Sequence, residues 1–363
     1  MNIADYFAVP QFQVGSLEKQ RCLLEDLNWL TQYHYQRSEP YKRLLDRARG
    51  GGLHPAETID EVPYVPVSLF KTHRLQSVPD TAIRNMLTSS GTGGQGVSRI
   101  AVDAETADLQ NRALAAIVKT VVGNERLPML LADTNAVIRN PALMTARGAG
   151  IVGFMRFGRG HTFILDEDMK AREDRLHDFL GRHGGRPFLI FGFTFMVWQY
   201  LYELVRKGSF DLSNGILMHS GGWKKLESIS VDNSTFRQRF ADSCGLKRIY
   251  NFYGMVEQLG SIFVEGEGER LYPPDFAEVI IRNPATWQPA KDGDVGIIQV
   301  LSLLPRSYPG HSLLTEDLGV LTTLTDSMAG TSKRGLRVLG RLPRTELRGC
   351  SDTFALQLRS EAA

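Results

Sequence analysis

Apolar positions along this 363-residue chain change rhythm twice. From Leu17 to about Tyr33 the residues Leu23, Leu24, Leu27 and Leu30 recur at helical spacing behind a candidate cap at Ser16, which predicts an amphipathic helix. Pro40 interrupts it, and a shorter helix is expected over Tyr41–Arg49, closed by Gly50-Gly51-Gly52. Val102–Val122 holds a long helix with Leu109, Leu114, Ile117, Val118 and Val121 on one side. Short apolar runs then alternate with helical stretches. Leu127–Ala132, Phe188–Phe193, Gly215–His219 and Arg248–Phe252 read as strands, and the second is followed by a helix carrying Trp198, Leu201, Tyr202 and Val205. Strands separated by helices predict an α/β fold with largely parallel sheets. After about Asp275 the rhythm changes again: Phe276–Arg282, Gly296–Leu304 and Gly319–Thr325 are strand-like, with no long helix between them. The expected organisation is an α/β core over residues 1–275, a smaller β-rich subdomain of the same domain over 276–339, and a short hinge-like tail over 340–363.

Composition narrows the class. A chain with 42% hydrophobic and 23% charged residues has ordinary globular usage and can bury a sizeable core. The formal net charge of +2, without a dense Lys/Arg run, gives no argument for a nucleic-acid surface. No apolar run reaches membrane-spanning length, since Phe188–Val197 is broken by Gly192 and Thr194. Met1-Asn2-Ile3-Ala4-Asp5-Tyr6 lacks the basic start and apolar core of a secretory signal. Three widely spaced cysteines, Cys22, Cys244 and Cys350, make neither a disulfide framework nor a zinc site, so a reducing, cytoplasmic setting is expected. Cys22 and Cys244 read as packed, structural thiols.

Candidate chemistry begins at Thr88-Ser89-Ser90-Gly91-Thr92-Gly93-Gly94-Gln95-Gly96-Val97-Ser98. Glycines let backbone N–H groups approach an anion, successive amides form an anion-binding concavity, and the hydroxyls of Ser89, Ser90 and Thr92 add donors. Such a loop suits a polyphosphate, although a Gly/Ser cluster alone also reads as a turn. Gly91-x4-Gly96-Val97-Ser98 has P-loop glycine spacing, but Val97 stands where that motif needs lysine. Upstream, a proline-punctuated connector over Glu61–Lys71 leads Lys71 and His73 towards the loop, where both read as surface residues.

Three further elements follow in order: His219-Ser220-Gly221-Gly222-Trp223-Lys224; Asn251-Phe252-Tyr253-Gly254-Met255-Val256-Glu257-Gln258; and Thr315-Glu316-Asp317-Leu318, followed by Gly340-Arg341. With Ser89–Gly94, which matches the serine/threonine/glycine loop of adenylate-forming enzymes with one substitution at Gly93, the set resembles the acyl-adenylate-forming superfamily from about Thr88 to Gly349. Within it, Gly221-Gly222-Trp223-Lys224 together with Asn251–Gln258 is similar to the acyl-protein synthetase (LuxE-type) family.

The resemblance implies ATP- and Mg²⁺-dependent activation of a carboxylic acid, most simply a long-chain fatty acid, as acyl-adenylate. Ser89, Ser90, Gly91, Thr92, Gly93 and Gly94 would hold the β- and γ-phosphates. Gly221 and Gly222 would lie against adenine, with Tyr253 stacking on the base and Gly254 beside it in the nucleotide site. Glu257 stands where the superfamily carries its magnesium ligand, Asp317 where it holds the ribose, and Arg341 would reach the ribose or α-phosphate. Two departures stand out. Val256 replaces the usual Thr or Ser before the glutamate, and the loop lysine is absent, a charge that Lys224 or Lys225 could supply. The superfamily's C-terminal lid and its catalytic lysine are also not expected, since no lysine follows Lys333. Cys350 then becomes the candidate nucleophile: it sits in Leu347-Arg348-Gly349-Cys350-Ser351-Asp352, where Arg348 would favour the thiolate. The resemblance implies the same role, an acyl-cysteine that passes its load to a partner acyl-CoA reductase-type protein or carrier. Two rivals stay open: a ligase that loads a small or aromatic acid onto CoA or a carrier, and a non-catalytic nucleotide-binding subunit of a reductase complex.

Overall fold

The computed structural model describes residues 3–88, 97–139, 146–223, 230–326 and 331–342. Its strands, in chain order, are β1 (Val65–Pro66), β2 (Ile83–Thr88), β3 (Arg99–Asp103), β4 (Leu127–Thr134), β5 (Gly158–Leu165), β6 (Phe188–Phe193), β7 (Gly215–Ser220), β8 (Arg248–Tyr253), β9 (Phe263–Glu265), β10 (Leu271–Tyr272), β11 (Ala277–Arg282), β12 (Val295–Ser302), β13 (Ser312–Asp326) and β14 (Thr331–Arg341). One 12-stranded sheet runs in the order β11-β12-β13-β14-β10-β9-β8-β7-β6-β4-β5, with β1 alongside β13. A separate antiparallel ribbon of β2 and β3 flanks the glycine loop on both sides. Neighbours from β5 to β8 are parallel. Pairings from β8 outward to β11 are antiparallel. The expected α/β fold is therefore present, with mixed rather than uniformly parallel strands.

The parallel strands are the near-continuous apolar runs of the sequence, as burial on both faces requires. Side chains alternate: Leu189 and Phe191 join one core with Leu23, Leu109, Ile117 and Phe154. Phe188 and Ile190 join the other with Leu176, Phe179, Leu201 and Phe240. The first core is supplied by the helices Ser16–Arg37, Ala104–Val122 and Ala146–Met155. The second is supplied by Glu173–His183, residues 194–205 and Asn233–Cys244. Each such Leu or Phe contributes roughly 1.5–3 kcal/mol of burial, so the sheet is held from both sides.

The helix predicted from Leu17 runs from Ser16 to Arg37, one turn beyond Tyr33. Glu39–Arg49 and Ala104–Val122 match the other two predicted helices closely, and Asp103 caps the latter by accepting the Thr106 amide. The N-terminal region shields the sheet edge: all six residues of β11 are buried, Phe7 meets Phe276 edge-on at 5.4 Å, and Lys19 lies 3.6 Å from Glu278. Covering an edge strand removes a template for unwanted pairing. Among the described residues no helix is long and apolar enough to cross a membrane.

Candidate functional site

The carboxyl ends of β6, β7 and β8 lie side by side, Phe193 against Ser220 and Ser220 against Phe252. Ligands of parallel α/β sheets collect at such ends. Here β7 runs into Gly221, whose φ of +88° is the left-handed conformation that favours glycine. At Gly254, just past β8, a Cβ would lie 2.9 Å from Ile262 Cγ2, so only glycine lets the chain turn there.

Tyr253, the last residue of β8, donates its hydroxyl to Asp317 Oδ2 at 2.7 Å across 64 residues of sequence. Asp317 is held in place from both directions. Its amide donates to the Thr315 hydroxyl at 3.1 Å, and Thr315 Oγ1 in turn donates to the Ile298 carbonyl at 2.8 Å. Arg341, its register partner on β14, brings Nε to 3.8 Å from Oδ1 while remaining 68% exposed. Burial raises the Asp317 carboxyl above its ordinary range, and Tyr253 and Arg341 pull it back. Burial and the adjacent Asp317 charge push the Tyr253 phenol well up.

Glu257 sits in a short turn, Val256–Gln258, and is 6% exposed. Its backbone carbonyl accepts the Tyr308 hydroxyl at 3.0 Å. The neighbouring Gln258 amide donates to the carbonyls of Gly310 at 2.8 Å and Val300 at 3.1 Å. Burial raises the Glu257 carboxyl, opposed by a hydrogen bond from Ser98 and by the charge of Lys71. Among the described residues no group of three or more His, Cys, Asp or Glu side chains could cage a metal.

Lys71 is the residue that sequence reasoning left on the surface. The parallel pairing of β1 with β13, Val65 against Leu313, carries the short helix Leu69–Thr72 to the site. Lys71 Nζ donates to both Glu316 oxygens, at 3.0 and 3.1 Å, next to Asp317 and within electrostatic reach of Glu257. No local signal marks it, because the pairing that places it spans most of the chain.

The described residues thus bring together Gly221, Gly222, Tyr253, Gly254, Glu257 and Arg341, at strand ends and their adjoining turns, with Asp317 inside β13. Ser89, Ser90, Gly91, Thr92, Gly93, Gly94, Lys224 and Cys350 lie outside the described residues. Cys244 is buried, its thiol donates to the Phe240 carbonyl at 3.2 Å, and burial pushes its pKa up to about 11, as suits a structural thiol. Cys22 is a free thiol of intermediate exposure. A cavity of about 310 Å³ lies away from these motifs, along the edge strand β5. Of the guanidiniums there, Arg175 is committed to the Phe163 and Leu165 carbonyls and Arg139 faces Glu167 at 3.8 Å.

A two-faced sheet whose strand ends present a glycine turn, a Tyr–Asp pair and a buried glutamate has the fold of adenylate-forming ligases. Solved structures like it include 2-hydroxyisobutyryl-CoA ligase in an open conformation with 2-HIB-AMP and CoA (TM-score 0.62, 16% identity, 93% of this chain and 78% of that one), and the same ligase in its postadenylation state (TM-score 0.65, 17% identity, 93% and 70%). The chain belongs to the acyl-protein synthetase, LuxE, family, which matches residues 8–359. It is 25% identical to the long-chain-fatty-acid–luciferin-component ligase of Aliivibrio fischeri over 97% of this chain and 93% of that protein. It is 22% identical to the protein of the same name from Vibrio harveyi over 93% and 89%. Phenylacetate-coenzyme A ligase of Thermus thermophilus is 26% identical over 92% of this chain and 72% of its own length.

Proposed function

We propose that this chain uses ATP and Mg²⁺ to activate a long-chain fatty acid as acyl-adenylate, takes the acyl group onto Cys350, and hands it to a partner reductase or carrier. The observation that carries this reading is the family match over residues 8–359, which spans every motif of the site. In the first half-reaction an acid carboxylate oxygen bonds to the α-phosphorus of ATP, the bond to the β-phosphate oxygen breaks, and pyrophosphate leaves. In the second, the Cys350 thiolate, its proton lost to solvent, bonds to the acyl carbon, the acyl–oxygen bond of the mixed anhydride breaks, and AMP leaves with that electron pair.

The residues fit the ligands this chemistry needs. Glu257 is a buried carboxylate with no ion-pair partner among the described residues, raised by desolvation. A hard oxygen of that kind suits Mg²⁺ carried on phosphates, which takes one or two carboxylates rather than a protein cage. Bound there, the ion would neutralise phosphate charge. Asp317 is aimed by Thr315 and Tyr253 and has acceptor capacity left for ribose hydroxyls. Lys71, braced by Glu316, supplies positive charge next to Asp317 and within electrostatic reach of Glu257. These groups position and neutralise rather than bond covalently, as phosphorus chemistry requires.

One observation favours a second acceptor: the likeness to phenylacetate-coenzyme A ligase. Intact-protein mass after incubation with ATP, Mg²⁺ and mixed fatty acids separates the two. A hydroxylamine-sensitive acyl adduct on wild type and not on Cys350→Ser supports the reading. An adduct on both proteins moves the acceptor elsewhere. No adduct, with AMP formed only when coenzyme A is present, replaces it with the coenzyme A ligase. No AMP under any condition overturns the enzyme reading.

A further inference from the structure

The turn after β7 rests on a stack of rings that the chemistry above leaves unused. His219 is 2% exposed, and its Nδ1 lies 2.9 Å from the Thr194 hydroxyl. Since Gly192 pairs with His219 and Phe193 with Ser220, this contact ties the carboxyl ends of β6 and β7 together. The His219 ring stacks on Phe236 at 4.8 Å, Phe236 on Trp198 at 5.5 Å, and Trp198 on Tyr202 at 4.3 Å. Trp223, just beyond Gly221-Gly222, meets Trp198 edge-on at 5.5 Å and 80°. Trp198 and Tyr202 are presented by a π-helical segment, Val197–Tyr202. Such segments are rare and recur at functional sites. His219 Nε2 is buried with no hydrogen-bond partner. A polar atom left unmade in that way is unfavourable, and here it sits two residues before Gly221.

Gly221 and Gly222 are exposed and have no side chains to hold them. Glycine loses more conformational freedom on ordering than any other residue. A turn of two glycines is therefore ready for a ligand only if its flanks are anchored, and ordering it in advance improves binding. We propose that His219, acting through Thr194, and Trp223, acting through Trp198, are positioning residues that hold the Gly221-Gly222 turn ready for the flat base of the nucleotide. The inference rests on the nucleotide role proposed for that turn. Loosening either flank transfers the ordering penalty to the binding step. Ground-state affinity for ATP then falls, while the chemical step is left alone.

Calorimetric ATP binding and acid-dependent ATP–pyrophosphate exchange test it. Trp223→Ala and Thr194→Val are each expected to raise Kd and KM for ATP by about tenfold, with kcat and the acid KM within about threefold. Trp223→Phe keeps an aromatic ring and Thr194→Ser keeps the hydroxyl, so both are expected to stay within about twofold of wild type. An unchanged ATP affinity in folded Trp223→Ala and Thr194→Val overturns the proposal. So does a loss in which kcat and Tm fall while the acid KM rises with them, the mark of a merely structural role. If Trp223→Ala does not fold, the Thr194→Val and Thr194→Ser pair decides. Wild type that binds no ATP overturns the nucleotide reading and this inference with it. Wild type that binds ATP while the variants bind equally well overturns this inference alone.

Discussion

Acidification should unfold this protein through its buried histidines. His34, His219 and His311 are 0%, 2% and 0% exposed. Burial lowers all three: His219 and His311 to about 3, and His34 well below its ordinary value, helped by the His311 ring stacked 5.1 Å away. The unfolded chain takes up these protons near the ordinary value of 6.5 and the native chain refuses them. Native stability is thus fully present above about pH 6.5 and falls as pH drops towards 3. Between about pH 7.5 and pH 5, His219 and His311 each remove roughly 2 kcal/mol. Together they remove roughly 4 kcal/mol, a large share of the 5–15 kcal/mol that holds an ordinary domain, and His34 acts in the same direction. Asp26, Asp133, Glu257, Asp275 and Asp317, all raised by burial, act in the opposite sense, gaining stability as pH falls through their native values. A single-site variant separates the two effects. His311→Gln keeps a polar atom near the Nε2 that meets Thr31 at 3.0 Å. It should be less stable near neutrality by about 1–2 kcal/mol. Its loss between about pH 7.5 and pH 5 should be smaller than that of wild type by about 2 kcal/mol. Urea unfolding at both pH values measures this. Parallel pH profiles for the two proteins would refute the buried, neutral histidine.

Other substitutions probe the site. Glu257→Gln removes a buried charge and keeps the shape, so Tm should hold or rise while acid-dependent exchange drops by about a hundredfold or more; a Tm loss with exchange intact would make Glu257 structural. Lys71→Ala breaks a pair whose side chains are 20% and 39% exposed. It should therefore change stability by no more than about 1 kcal/mol, yet raise the KM for ATP about tenfold; an unmoved KM would return Lys71 to the surface role read from sequence. Tyr253→Phe deletes the hydroxyl that reaches Asp317 and keeps the ring, which should lower stability by about 1–2 kcal/mol and weaken ATP several-fold. Unchanged urea unfolding would refute the Tyr253–Asp317 contact.

Elements set by local residue pattern are legible in the chain. Phe188–Phe193 begins and ends where its apolar run does, and Arg248–Phe252 is one residue short of β8. Continuous apolar runs bounded by glycine and polar residues leave such strands little choice of length. Other elements hid behind charge. β14 carries Lys333, Arg334 and Arg337 among its apolar residues, so the segment reads as polar although it pairs with β13 from Asp326↔Thr331 to Asp317↔Arg341. The helix Asn233–Cys244 buries only Phe236, Phe240 and Cys244, too sparse a stripe to stand out. Gly319–Thr325 is the apolar part of a longer strand that starts at Ser312, where pairing with β12 and β1 holds residues the sequence shows as polar, Thr315 and Asp317 among them.

The same division runs through the site. Residues expected to touch the nucleotide sit in short motifs: Gly221 and Tyr253 at strand ends, where backbone geometry constrains residue type locally, and Asp317 within β13. Residues that aim them reach the site from far away. Tyr308 braces Glu257 across 51 residues, Lys71 meets Glu316 across 245, and the Ile298 carbonyl on β12 anchors Thr315, whose hydroxyl takes the Asp317 amide. Tyr308, Lys71 and Ile298 belong to no motif, since only the pairing of the sheet creates these contacts. A chain with this fold can therefore keep its ligand-facing residues and still lose function if one distant brace is changed. Tyr308→Phe isolates the point. It removes one buried hydrogen bond to the Glu257 carbonyl, worth about 1 kcal/mol, and replaces no residue assigned to ATP or Mg²⁺. If bracing matters, exchange should fall further than Tm predicts, and raising Mg²⁺ should restore part of it. A fall explained wholly by lost stability would show that the Val256–Gln258 turn holds its own shape.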